Sequence, residues 1–137
     1  MKSRIIFYGL LALAAYIFLP LLAGGRQPKI PLAKTEIAKL RAALNQYRAE
    51  FGEYPSGTSA EILKILLREN SKKIQFFTVN PKWVNSAGEL VDPWKTPYEI
   101  KIFQQTNFAI RSAGPNRAFG DKDDFIFNSV SNNFVKP

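Results

Sequence analysis

The chain contains neither cysteine nor histidine. Without cysteine there is no disulfide, no zinc-thiolate site and no thiol nucleophile. Without histidine there is no Ser-His-Asp triad, no HExxH metal site and none of the commonest general base. Any catalysis would fall to carboxylates, Lys, Tyr or Ser, so a binding or structural role is the expectation and an enzyme is not. Acidic residues are also few: 11 against 19 Lys and Arg, a net charge of +8 over 137 residues. What remains is the composition of a folded domain. Hydrophobic residues make up 46% and aromatic ones 13%, more than a disordered chain carries and enough to fill one small core.

Three parts follow one another along the chain. Lys2 and Arg4 precede an uncharged run from Ile5 to Leu22. Its length sits at the lower edge of a membrane-spanning helix and exceeds most signal-peptide cores. Residues 1–25 therefore read as a membrane anchor, or as a signal segment removed near Ala23-Gly24-Gly25. The basic flank favours a cytoplasmic N-terminus, which exports the rest. A connector over 26–34 follows, with Pro28 and Pro31 as breakers, and then a globular domain over 35–137. Setting the first 25 residues aside removes only Lys2 and Arg4, so the domain itself is basic.

The domain opens with a helix, because Ile37, Leu40, Leu44, Tyr47 and Phe51 recur at three- and four-residue steps. Gly52 stops it and Tyr54-Pro55 turns the chain. Thr58 and Glu61 have the spacing of a capping box ahead of Ile62, Leu63, Ile65, Leu66 and Leu67, a second helix ending near Asn70. Ile74–Val79 suits a short strand. Period-two alternation then appears at Tyr98–Ile102 and Asn107–Arg111, with a hairpin turn at Gln104–Asn107 and a third strand at Phe125–Phe127. Helices first and an antiparallel sheet last imply an α+β fold.

The most informative polar cluster is Ser112-Ala113-Gly114-Pro115-Asn116 followed by Gly120-Asp121-Lys122-Asp123-Asp124. Asp121, Asp123 and Asp124 with the Asn116 amide are hard oxygen donors in a flexible loop, and calcium takes six to eight of these. The spacing is not that of an EF-hand, since no Gly follows at the sixth position and no Glu at the twelfth. The alternative is a solvated acidic loop whose side chains cap turns. Ser112, Lys122, Asp123 and Asp124 are also the only clustered groups with catalytic potential, and an exposed Gly-rich loop does not drive two carboxylate pKa values apart. Lys72-Lys73 beside Phe76-Phe77, and Lys82 beside Trp83, put cations next to stacking surfaces. The cations are scattered, however, so nucleic acid is not the expected partner; anionic lipid beside the anchor is an equal use of the charge.

Taken together, residues from about Ala33 to Ile126 resemble the globular domain of the major, G-type pseudopilins of type II secretion, within the type IV pilin-like superfamily. The markers are the first helix, Gly52-Glu53-Tyr54-Pro55, and above all Asp92-Pro93-Trp94-Lys95-Thr96-Pro97-Tyr98. The last is similar to that family's Asp-Pro-Trp-Gly-x-Pro-Tyr motif, with Lys95 at the Gly position. Ile110–Asn116 resembles the stretch that starts the family's calcium loop, and Asp123-Asp124 its end. The resemblance implies an N-terminal hydrophobic helix, then amphipathic helices on a small antiparallel sheet. It implies a non-enzymatic structural or assembly component, single-pass in the bacterial inner membrane with its domain in the periplasm. Its partners would be the membrane and other pseudopilin or secretion subunits, including further copies of itself. The alternatives are a secreted form after signal cleavage, or an anchored module that binds DNA or another anionic polymer. The resemblance also implies calcium ligands at the Ala113 carbonyl, Asn116, Asp123 and Asp124, with Asp121 as an additional one. Asn116 stands where the family has Asp, which lowers the charge of the site and its affinity. The stem glutamate and the peptidase-site glycine that precede the domain in that family have no counterpart in residues 1–26.

Overall fold

A computed structural model describes residues 28–135; the apolar run expected to form an anchor lies outside them. Among the described residues no helix is long and apolar enough to cross a membrane. Helix α1 spans Lys29–Phe51, so it begins inside the stretch expected to be a connector. The two prolines do not prevent this. Pro28 precedes the first turn and Pro31 lies within it, where a backbone N–H has no helical partner to lose. Ala33 is fully buried, so the core also starts earlier than residue 35. At the other end Gly52 takes φ 86° and its N–H closes on the Arg48 carbonyl at 2.8 Å, the left-handed cap that glycine adopts without strain.

Helix α2 spans Ser59–Leu67 and carries the expected capping box: the Thr58 hydroxyl accepts from the Glu61 N–H, and the Glu61 carboxylate accepts from the Thr58 N–H at 2.7 Å. It stops three residues before the expected end. Asn70 is buried instead, its amide donating to the Ile65 and Ile74 carbonyls and its oxygen accepting from the Ile74 N–H. That clamp, with the Phe76 and Phe77 N–H groups both donating to the Leu66 carbonyl, ties residues 74–79 to the end of α2. The segment joins no ladder, so the strand expected at Ile74–Val79 is absent. It buries Phe77 in the core by lying along the end of a helix rather than in a sheet.

Four strands form an antiparallel meander in the order β1 (Glu99–Phe103), β2 (Asn107–Ser112), β3 (Phe125–Asn128) and β4 (Asn133–Val135). Glu99 pairs with Arg111 and Phe103 with Asn107 across the first hairpin, whose Gln104 and Gln105 both take positive φ. Ser112 pairs with Phe125, and Phe127 with Phe134. The first three strands match the sequence pattern to within a residue. β4 is three exposed residues long, too short to leave a period of its own.

One core cluster joins all of this. Ile37, Leu40 and Leu44 of α1 and Ile62, Leu63 and Leu66 of α2 pack with Tyr98, Ile100, Phe108, Ile110 and Phe127 of the sheet side. Each such side chain contributes about 1.5–3 kcal/mol on burial. Along the seam between α1 and the sheet, cations seven residues apart cover the remaining rings. Lys34 lies over Phe125 and Phe134, Arg41 over Phe127 and Arg48 over Tyr54, at 5.1 to 5.8 Å from the ring centres.

Candidate metal loop

The loop from Ala113 to Asp124 is anchored by the corner that precedes the sheet. Asp92 is fully buried, and its carboxylate is satisfied from three directions. Oδ1 accepts from the Trp94 and Thr96 N–H groups, each at 2.9 Å, and Oδ2 accepts from the Ser112 hydroxyl at 2.7 Å. Burying a carboxylate is costly unless donors satisfy its oxygens in this way. The turn that it organises forces Lys95 to φ 74°, where a glycine would sit without strain. Lys95 holds the position with its ammonium 4.1 Å from the Trp83 ring centre. Trp94 stacks on Phe125 at 6.0 Å, and Tyr98 is buried, its hydroxyl directed to the Ala33 carbonyl at 3.5 Å. Burial, then the charges of Asp92 and Glu36, push the Tyr98 phenol well above its ordinary pKa.

The Ser112 hydroxyl also accepts from the Gly114 N–H at 3.2 Å, which carries the same network into the loop. Gly114 takes φ 69°, and a Cβ there would lie 2.1 Å from the Asp123 carbonyl oxygen. The two ends of the loop thus touch backbone to backbone, and only glycine permits it. Within the loop, Asn116 caps its own turn by accepting from the Ala118 N–H and donates its amide to Asp121 Oδ2. Asp121 Oδ1 accepts from the Asp123 N–H.

Asp124 differs from the rest. Its side chain is fully buried, which corrects the expectation that these carboxylates all lie on an exposed loop. Oδ2 accepts from Arg111 Nε at 3.0 Å and from the Gly120 N–H at 2.9 Å, while Oδ1 is buried with no donor. Ala113 is fully buried; Asp121 and Asp123 are half-buried; Asn116 is exposed. The geometry brings Asn116 and Asp121 together. Among the described residues no group of three or more Asp or Glu side chains converges into a metal-holding set. The donor set fits a hard cation in one respect, the orphaned and buried Asp124 oxygen. Arg111, a residue of the Ile110–Asn116 stretch with no expected role at the site, sits against that same carboxylate. Its outward place on an alternating strand, directly before the polar cluster, was the available signal. Nothing in the spacing of 20 residues between Asp92 and Ser112 announces their hydrogen bond.

Several of the cations are paired with neighbouring groups on the domain surface. Lys39 pairs with Glu36, Lys101 with Glu99, and Lys72 with Glu50 while also lying 5.2 Å from the Phe51 ring centre. The cation over Trp83 is Lys95, rather than the neighbouring Lys82 that the sequence suggests.

Neither a curated protein nor a solved structure matches the chain. The family model described as type II secretion system (T2SS), protein G, matches residues 21–129. That span takes in both helices, the Asp92 corner, the loop and the first three strands. With its helices packed on an antiparallel sheet, the chain belongs to the type II secretion system protein G family, the major pseudopilins, whose members are structural components of the secretion machinery.

Proposed function

We propose that this protein is an N-terminally anchored subunit of a pseudopilus-type assembly, with its domain on the periplasmic side of the inner membrane and calcium steadying the 113–124 loop. The observation that carries the reading is helix α1. It begins at Lys29, shortly after the uncharged run from Ile5 to Leu22, and the whole core is built on its Ile37–Leu40–Leu44 face. A domain clamped to its first described helix is placed directly on whatever the preceding segment binds. The opposite face, with Ala38, Ala42 and Gln46, is exposed and available to neighbouring subunits.

Calcium in the loop is supported by the buried, donorless Asp124 Oδ1. The ion would be held by Asp124 and Asp123, with Asp121, Asn116 and the Ala113 carbonyl as the further oxygens. It would neutralise carboxylates that otherwise repel one another.

The test uses the absence of cysteine. Single cysteines at positions 38, 42 and 46 of the full chain, each carrying a thiol-attached photocrosslinker, should give crosslinks to other pseudopilin subunits or to a second copy in cells that carry the secretion machinery. The protein should stay with membranes after carbonate extraction. Release by carbonate with a mature N-terminus at Arg26, together with no crosslinks, would replace this reading by that of a secreted, independent domain.

A further inference from the structure

We propose that Arg111 is a built-in cation for the 113–124 loop: its guanidinium closes the loop on Asp124 without a metal, and in doing so lowers the loop's affinity for calcium. The second half rests on the calcium reading above, and the first half does not.

Arg111 projects from the outward face of β2, level with Glu99 on β1 and Ile126 on β3. Three groups gather around its guanidinium. Nε donates to Asp124 Oδ2 at 3.0 Å, Nη1 donates to Glu99 Oε2 at 3.4 Å, and the Phe119 ring lies at 4.8 Å. Phe119 and Asp124 both belong to the loop, so a single side chain fastens its middle and its end to the sheet. The Gly120 N–H donates to the same Asp124 oxygen and wraps the last turn around it. The planar fork and flat face of an arginine serve the carboxylates and the ring at once, which a lysine cannot do.

The side-chain oxygens of Asn116 and Asp121 are already engaged, which leaves the half-buried Asp123 carboxylate as the loop's other acid. Asn116 Oδ1 accepts from Ala118, Asp121 Oδ1 from Asp123, and Asp121 Oδ2 from Asn116. The loop is therefore closed by protein donors alone, with Arg111 in the place of the counter-charge. A divalent ion at Asp124 Oδ1 would share one carboxylate with the guanidinium. Like charges that close, in a site shielded from water, repel strongly. Calcium binding then either tolerates that repulsion or displaces Arg111 toward Glu99.

Trypsin reports the loop directly, because Arg117 and Lys122 are exposed within it. The experiment digests the full chain in detergent micelles, in EGTA and across a calcium titration, for wild type, Arg111→Gln, Asp124→Asn and the double variant. Wild type in EGTA should resist cleavage after Arg117 and Lys122. Arg111→Gln should be cut at least about tenfold faster, and calcium should restore its resistance at a midpoint about tenfold below that of wild type, the effect of removing one nearby positive charge. Asp124→Asn should be cut fast with no rescue by calcium. The double variant should open no further than Arg111→Gln, because both single changes break the same Arg111–Asp124 contact. Cleavage of Arg111→Gln at the wild-type rate in EGTA would overturn the built-in cation, as would additive effects in the double variant. Equal calcium midpoints in wild type and Arg111→Gln would overturn the competition. If calcium protects neither while Arg111→Gln still opens the loop, Arg111 stands as its closure and the calcium reading falls. Should Arg111→Gln fail to fold, Phe119→Ala removes one of the two loop contacts and should speed cleavage severalfold in EGTA; no change there would also count against the proposal.

Discussion

The Ser112 hydroxyl donates to the Asp92 carboxylate at 2.7 Å, between two side chains that are both fully buried. This bond joins the corner before β1 to the first residues of the 113–124 loop. Because Ser112 also accepts from Gly114, the backbone of the loop starts from a position set by Asp92. Corner and loop, far apart in sequence, form one polar unit beneath the edge of the sheet.

Removing Asp92 should therefore be severe. Asp92→Ala leaves the Trp94 and Thr96 N–H groups and the Ser112 hydroxyl without an acceptor, a loss of about 3–5 kcal/mol. Ser112→Ala should cost only about 1–2 kcal/mol, since Asp92 keeps its two backbone donors. Denaturant melts of the full chain in detergent would measure both. Equal losses for the two variants would mean that the Asp92 turn is not held by its carboxylate.

Lys95 gives a finer test. Its left-handed backbone costs about 1 kcal/mol relative to glycine, and its contact with Trp83 returns about 0.5–1 kcal/mol. Lys95→Gly should thus leave stability nearly unchanged, while Lys95→Ala keeps the strain and loses the ring contact. Thermal midpoints should rank wild type and Gly together, with Ala about 1 kcal/mol below. An Ala variant as stable as the Gly variant would show that the turn relaxes elsewhere.

The same residues explain what could be read from the sequence. Periods of three to four and of two announced α1, α2 and the first three strands, because each buries one regular face: Ile37, Leu40 and Leu44, or Phe108 and Ile110. The signal failed where contacts were not periodic. Pro31 looked like a breaker, but it stands in the one turn of a helix that needs no N–H. Ile74–Val79 is apolar and aromatic like a short strand, but Asn70 and Leu66 hold it against α2. In the loop the oxygen-rich residues were visible and their partners were not. That Arg111 reaches Asp124 depends on β2 pairing with β3, a relation of register that spacing cannot supply.

Tyr98 makes a prediction about alkali. Its folded pKa is raised, by burial first and then by Asp92 and Glu36, above the ordinary value of 10.0. A group with a raised folded pKa contributes stability that is fully present below the unfolded value and is lost as pH rises beyond it. Stability should hold up to about pH 10, the unfolded phenol's range, and decline above it as the unfolded state ionises. Tyr98→Phe should flatten that decline, at the loss of only a long hydrogen bond to Ala33. Unfolding titrations from pH 8 to 11 would show the difference; parallel declines in the two proteins would assign the alkaline loss to other groups.

The calcium reading makes the sharpest demand on the loop. Asp123 offers a half-buried carboxylate, beside an Asp124 oxygen that has no donor. An ion that binds only the folded loop should add about 2.7 kcal/mol at a hundredfold excess over its Kd. At about 4 °C or more per kcal/mol for a domain of this size, the midpoint should rise by roughly 10 °C. Magnesium should do far less, because its small octahedral shell is reluctant to give up water to a loop of mixed oxygens. Asp123→Ala should abolish the calcium response while melting close to wild type in EGTA, since its backbone N–H still caps on Asp121. Asp124→Ala should lose the response and also melt lower in EGTA, because it removes the partner of Arg111. Lys122→Ala should follow wild type throughout. The measurement is thermal melting of the full chain in detergent with millimolar calcium, millimolar magnesium or EGTA. A wild-type midpoint that is the same in all three would leave the loop held by its own hydrogen bonds and by Arg111, with no place for the metal.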